Sequence, residues 1–283
     1  MFVILGASGN VGSQVVKVLS KAEQPVLAVV HSAEKAAGMR ARNVEPVVAD
    51  VTDNVGLRAV FRRGRRAFLL NPPCDPSGDS NGQELATAKS ITDALVDSGL
   101  EKIVVASTYG ARPGDSVGDL STLFEFERAA LASGIPMAVN RGAYYFTNLD
   151  MLLEPAREGI LPTAFPADLE LPMVAAIDLG EAAADRLQSP LYDLGVAHVE
   201  GPKRYTFEEV AAAFARHLHR DVTPATTPRE KWEESFRSVG FSEAAARSFA
   251  RMTAATIDEP ELPPSPRRGR VALDAYVATL ATS

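Results

Sequence analysis

Three glycines at positions 6, 9 and 12 stand in the run Gly-Ala-Ser-Gly-Asn-Val-Gly, directly after the apolar residues Phe2, Val3, Ile4 and Leu5. This spacing suits a main chain that must receive an anion. Gly6 lets the chain turn sharply off a strand, Gly9 lets the backbone come close to a pyrophosphate, and Gly12 lets the next helix pack tightly on a sheet. Ser8, Asn10 and Val11 complete the turn, and their amides belong to the helix start that faces the phosphates. A glycine turn with no ligand uses the same residue types, so the flanks carry the reading. They are an apolar run before the turn and Val11, Val15, Val18 and Leu19 at helical spacing after it.

A dinucleotide held there needs partners for its two ends. His31 and Ser32 lie about 20 residues beyond the turn, where ribose specificity is decided. An acidic residue at that point would hold the 2′-hydroxyl of NAD, yet none occurs before Glu34, and Lys35, Arg40 and Arg42 follow. The balance favours NADP, with NAD as the alternative if these cations are ordinary surface residues. Asp50 and Val51 end a third apolar run, where a carboxylate reaches an adenine or caps a helix. Asp53, ahead of Val55, Leu57, Val60 and Phe61, reads as a cap. Asn71, Pro72 and Ser107 end two later runs and complete the expected cofactor set. Tyr109 is the hydroxyl beside them that could donate a proton, which makes it the candidate catalytic residue. Tyr144, Tyr145 and Phe146 would join it as an aromatic wall for a flat substrate, although core packing accounts equally for two of these four rings. Cys74 is either a redox-sensitive thiol or inert, and its neighbours Pro73 and Asp75 supply no positive charge to activate it. No metal ligands are assigned.

The elements that position these residues follow from periodicity. Buried strands are expected near residues 25–30, 45–49, 67–70, 102–106 and 136–140, and helices near 33–40, 53–61, 83–98 and 121–133. Such alternation predicts an α/β fold, a Rossmann-type doubly wound parallel sheet with right-handed crossovers. In open sheets of this kind the chemistry sits at the carboxyl ends of the strands. The texture changes near residue 150, where prolines at 155, 162, 166 and 172 begin. Residues 1–150 are therefore read as the dinucleotide-binding domain and 151–283 as a smaller α/β substrate lobe, with about 173–200 threaded back into the sheet. From residue 223 onward, irregular helices and loops are expected.

Composition narrows the function further. A chain of 283 residues can bury roughly three quarters of its unfolded surface without staples. The single cysteine excludes an internal disulfide and, with a first strand starting at residue 2, leads to an expected cytoplasmic location. Net charge −7 leaves no electrostatic footprint for nucleic acid, and no apolar run approaches a membrane span. The expected partner is a small molecule; oligomer formation stays open.

The turn at residues 6–12, the run His31-Ser32-Ala33-Glu34-Lys35-Ala36, Ser133-Gly134-Ile135-Pro136, Asn140-Arg141-Gly142-Ala143-Tyr144 and Asn148 occur in an order that resembles the NmrA-like group of atypical short-chain dehydrogenases. Residues 205–209 and 269–273 resemble the group's smaller lobe. The resemblance implies NADPH-dependent quinone reduction or redox-sensing regulation. Many members carry Arg where His31 stands, and a guanidinium grips a 2′-phosphate more firmly. None of the six tyrosines has a lysine four residues on, and Leu123 and Phe124 stand where relatives carry Lys or His. Without that acid pair, ketone reduction is disfavoured. A quinone spreads the developing charge over its ring, so hydride transfer from NAD(P)H to a quinone or similar conjugated acceptor is the expected reaction. The alternative is a non-enzymatic NAD(P)-sensing regulatory protein acting through a protein partner. An isoflavone-reductase-like activity fits less well, because it calls for that lysine.

Overall fold

The computed structural model describes residues 1–39 and 41–282, so Arg40 lies outside the described residues. Strands β1 (Phe2–Ile4), β2 (Val26–Val30), β3 (Val44–Val48), β4 (Arg66–Leu69), β5 (Lys102–Thr108) and β6 (Met137–Gly142) alternate with five helices. These are α1 (Asn10–Lys21), α2 (Ala33–Ala37), α3 (Asn54–Phe61), α4 (Ser80–Asp93) and α5 (Asp119–Ala132). The chain continues through β7 (Tyr144–Tyr145), a 3-10 segment (Phe146–Leu152), α6 (Leu153–Arg157), β8 (Ile160–Thr163), β9 (Leu171–Val174), α7 (Ala176–Gln188) and β10 (Gly195–Glu200). It ends with β11 (Arg204–Tyr205), α8 (Phe207–Leu218), β12 (Thr223–Thr226), α9 (Trp232–Ser238), α10 (Glu243–Asp258), β13 (Arg267–Arg268) and α11 (Leu273–Ala281).

The large sheet has the order β13-β10-β6-β5-β4-β1-β2-β3, and its pairings are parallel. This is a Rossmann-type sheet. Its inner strands β1, β2, β4 and β5 read as largely apolar runs because both faces are covered. On one face α1 and α7 bury Val11, Val15, Leu19, Leu179 and Leu187 against Ile4, Ala28 and Val104. On the other, α3, α4 and α5 bury Leu57, Phe61, Ile91 and Phe126 against Val3, Leu27 and Val105. The strand order reverses between β1 and β4, so a crevice opens where Gly6 follows one and Asn71 the other.

A third core underlies the smaller lobe. Phe146, Leu149, Leu161, Leu171, Tyr205, Phe207, Phe214, Leu273 and Val277 close on one another. Helix α8 carries a capping box of Thr206 and Glu209, worth about 1 kcal/mol. Burial of Phe207, Val210 and Phe214 contributes about 1.5–3 kcal/mol each, so packing rather than capping holds this helix.

Three expectations need correction. Of the stretch 173–200, β10 joins the large sheet beside β6, but β9 lies in a separate three-stranded sheet with β7 and β11. The position next to β6 goes to β10, whose Val199 completes the large core, while Leu171 and Met173 of β9 are buried in the small-lobe core. The region past residue 223 is more regular than expected. Its alanine-rich α10 runs 16 residues from a Ser242 cap, and β13 adds an edge strand to the large sheet. Helix α4 starts at Ser80, three residues early, because Asp79 accepts the Gly82 amide as its cap. Among the described residues no helix is long and apolar enough to cross a membrane.

Candidate functional site

The glycine turn is built as its spacing requires. Gly6 has φ +62°, and a Cβ there would meet Leu70 Cδ2 at 2.8 Å. A Cβ on Gly12 would stand 2.1 Å from the Gly6 carbonyl oxygen, so the helix lies directly on the turn. Gly9 differs, since a Cβ would meet only that same oxygen, at 3.3 Å. It opens α1 without a side-chain cap, whereas Asp53, Asp79, Thr206 and Ser242 cap α3, α4, α8 and α10. An exposed helix start with no side-chain acceptor is a ready seat for phosphate. Across the crevice Asn71 is buried, its Nδ2 donating to the Glu84 carbonyl at 3.1 Å while its Oδ1 has no partner. An orphaned buried acceptor beside a glycine cradle fits a ligand rich in hydroxyls.

The other expected cofactor residues lie along the same edge. His31 and Lys35 are exposed beyond β2, and Ser32 caps α2 by accepting the Lys35 amide at 3.3 Å, leaving its hydroxyl hydrogen to donate. Asp50 folds onto Thr52, accepting its amide and hydroxyl at 2.8 Å each, and these bonds hold its carboxyl below the ordinary range. Val51 and Pro72 are half-buried. Ser107 is buried and donates to Glu127 Oε1 at 2.5 Å, so its hydroxyl is already committed.

The aromatic residues do not form one wall. The Tyr109 ring meets His198 edge-on at 5.1 Å, and its hydroxyl is buried without a partner. Burial and the nearby Glu200 push that phenol well above its usual value. Tyr144 packs against Phe165 and Phe207, and burial pushes it up to about 12. Tyr145 is pushed up to about 12 by burial and by the charge of Asp119. Phe146 is completely buried against Tyr205 and Tyr276, which corrects its place among substrate-binding residues, because no face of its ring is left for a ligand.

The sequence model of the NmrA-like family matches residues 1–273. The chain belongs to the NmrA-like family. It is similar to an NAD(P)H azoreductase of Xenophilus azovorans, 24% identical over 257 residues that make up 90% of this chain and 86% of the relative. A Citrobacter sp. triphenylmethane reductase crystallised with NADP(H) has a similar fold, with TM-score 0.83 and 19% identity over 99% of this chain and 100% of the other. So does an Escherichia coli NADPH-dependent quinone oxidoreductase crystallised with NADPH, with TM-score 0.82, 21% identity and 99% of each chain covered.

In this NmrA-like chain the tertiary structure adds side chains that sequence reading missed. Arg141 grips Glu127 with two bonds of 2.9 Å and reaches Glu261 Oε1 at 3.0 Å. Glu261 also accepts the Gly110 amide at 2.7 Å and lies 3.0 Å from His198 Nε2. Glu84, 7% exposed, accepts from Thr122 Oγ1 at 2.9 Å and from the Cys74 amide at 3.3 Å. Burial and the charge of Asp119 push its carboxyl up, and burial does the same to Asp119. Burial and Glu84 push the Cys74 thiol up, which keeps it protonated and favours its inert reading. Arg141 was legible within the NmrA-like motif at 140–144. Glu84 and Glu261 carried no local signal, one on a helix face and the other in a proline-rich loop.

Proposed function

We propose that the protein binds NADPH at the glycine turn and catalyses hydride transfer to a quinone or a similar conjugated acceptor. The observation that carries this reading is the uncapped start of α1 at Gly9 opposite the orphaned Asn71 Oδ1, at the point where the strand order reverses. Amides of residues 8–12 hold the pyrophosphate. His31, Ser32 and Lys35 donate to the 2′-phosphate, and no carboxylate at the end of β2 repels it. Asp50 and Val51 border the adenosine end; Asn71, Pro72 and Ser107 border the nicotinamide end. Bound NADPH supplies a hydride, which is two electrons and one proton. Tyr144 and Tyr145 flank the acceptor, while Tyr109, with its hydroxyl sequestered, acts at most as a weak donor. Residues 1–150 hold the dinucleotide, and residues 151–283 cover the acceptor, apart from β10 and β13 in the large sheet.

The names of the similar proteins support this choice, because azo compounds, quinones and triphenylmethane dyes all spread an added electron pair over a conjugated system. A simple ketone concentrates the charge on one oxygen, which a dry site stabilises only with a positioned donor. NADPH oxidation against a panel of quinones, azo dyes, aldehydes and ketones tests the reading. Turnover of the conjugated acceptors alone is expected. Brisk reduction of an aliphatic ketone overturns it, and tight NADPH binding with no acceptor reduced transfers the reading to a dinucleotide sensor.

A further inference from the structure

A cavity of about 480 Å³ lies between the first turn of α4, the loop before α5 and α10. Its walls are Asp79, Ser80, Asn81, Ser116 and five residues of α10 between 244 and 251, none of which belongs to the cofactor or acceptor set proposed above. Clefts that hold small organic ligands run from about 300 to 1,000 Å³, so the size is that of a ligand site.

We propose that this cavity binds a small hydroxylated phosphate ester, its phosphate held by Arg247, Arg251, Ser80 and Ser248 and its hydroxyls by Asp79 and Asn81. The cavity shares no residue with the reductase site, so the two readings succeed or fail separately.

The donors come from two facing helices. Helix α4 runs 14 residues from Ser80, and its start carries a positive partial charge. Its cap, Asp79, accepts the Gly82 amide at 3.0 Å, while the Ser80 and Asn81 amides donate to no group among the described residues. Ser80 is 6% exposed, yet its hydroxyl has no partner among the described residues and lines the cavity. Ser248 is 3% exposed and accepts the Gly118 amide at 2.9 Å, which leaves its hydroxyl hydrogen to donate. Arg251 gives Nε to the Ser116 carbonyl at 2.9 Å and pairs with no carboxylate among the described residues, so both Nη groups remain for an oxyanion. One helical turn away, Arg247 reaches Glu243 at 3.0 Å in an exposed pair that contributes little. Two guanidiniums on one face of α10, opposite two buried hydroxyls and a helix start, suit a phosphate.

A bare anion would leave the acceptors of the cavity unmatched. The Asn81 carboxamide oxygen is buried without a partner, and Asp79 commits Oδ1 alone to its cap. A carboxylate and an orphaned carbonyl oxygen beside two arginines call for a ligand that also donates, as hydroxyls do. Ala244 and Ala245 complete the wall with side chains small enough to admit a short carbon chain.

The test follows ¹⁵N resonances of the whole protein, preloaded with NADP⁺ to fill the glycine turn, during titration with glycerol 3-phosphate. Signals of the Ser80 and Asn81 amides and of Arg251 Nε should move saturably. Ethyl phosphate, with the same charge and no hydroxyl, should bind about fivefold more weakly. Arg251→Gln should weaken glycerol 3-phosphate by about tenfold through loss of a charge-assisted pair, and Arg251→Lys by less. Ser80→Ala should weaken it by about threefold with an unchanged urea midpoint, because that hydroxyl holds no other part of the fold. Absence of saturable movement at these residues, or unchanged affinity in Arg251→Gln, overturns the site. Equal affinity for ethyl phosphate overturns the choice of a hydroxylated ester. Movement confined to Gly9 and Val11 assigns the phosphate to the glycine turn and defeats the cavity as its seat. Because the signals are read residue by residue, a failure of NADPH-dependent turnover bears on the reductase reading alone.

Discussion

At the scale of single residues, the three glycines do different work, and substitution separates them. Gly9 has φ −85° and ψ 177°, an extended conformation open to any residue, and its Cβ position is nearly free. Gly9→Val should therefore fold normally yet abolish NADPH binding by calorimetry, because the side chain occupies the approach of the pyrophosphate. Unchanged affinity would remove the cradle assignment. Gly12→Ala should show the opposite balance. Its Cβ would stand 2.1 Å from a main-chain oxygen that cannot move alone, so a loss of at least about 2 kcal/mol is expected in denaturant titration. Tyr109→Phe removes a buried hydroxyl that has no partner. An unsatisfied buried group costs about 1–3 kcal/mol, so this variant should be as stable as wild type or slightly more so, with quinone turnover almost unchanged. A large activity loss without a stability loss would make Tyr109 the acid after all.

At the scale of elements, the segment between α10 and β13 is fastened across the carboxyl edge of the sheet by ion pairs rather than by packing. Glu261 holds the Gly110 amide, Arg141 and His198, and Arg112 pairs with Glu259. Burial works against the Glu261 charge, but the Gly110 amide, His198 and Arg141 together hold its carboxyl below the ordinary range. A carboxyl lowered in the folded state contributes stability that is fully present above its unfolded pKa, about 4.3, and is lost as pH falls through the folded value. Glu261→Gln should thus cost stability at pH 7 and progressively less below about pH 4. Urea midpoints of both proteins at pH 7 and pH 3.5 check this, and a gap that widens in acid would contradict it.

At the scale of the whole molecule, the proposed ligand touches the ends of β1, β2, β4 and β5 and so bridges both wings of the sheet. Bound NADPH should accordingly raise the thermal midpoint of the entire cooperative unit. Ligand at 100 times its Kd adds about 2.7 kcal/mol, which is several degrees for a chain of this size. Gly9→Val should show no such rise. NADH should give a smaller one, because His31, Ser32 and Lys35 meet no phosphate on its ribose. Equal shifts with both cofactors would place the cations among ordinary surface residues.

The alternation of apolar runs and amphipathic helices through residue 150 was legible because the inner strands β1, β2, β4 and β5 are buried on both faces and the long helices α1, α3, α4 and α5 each turn one stripe toward them. The glycine spacing was legible for a similar reason, since a turn of that curvature admits no other residue at positions 6 and 12. Chain order could not assign β9 to the small sheet and β10 to the large one, because both are short apolar runs and only the space left beside β6 distinguishes them. Nor could it reveal that Phe146 is core, that the Tyr109 hydroxyl is sequestered, or that Arg141, His198 and Glu261 converge from separate elements. Local periodicity specifies elements, whereas the burial of a polar group and the charge beside it depend on residues brought together from distant parts of the chain.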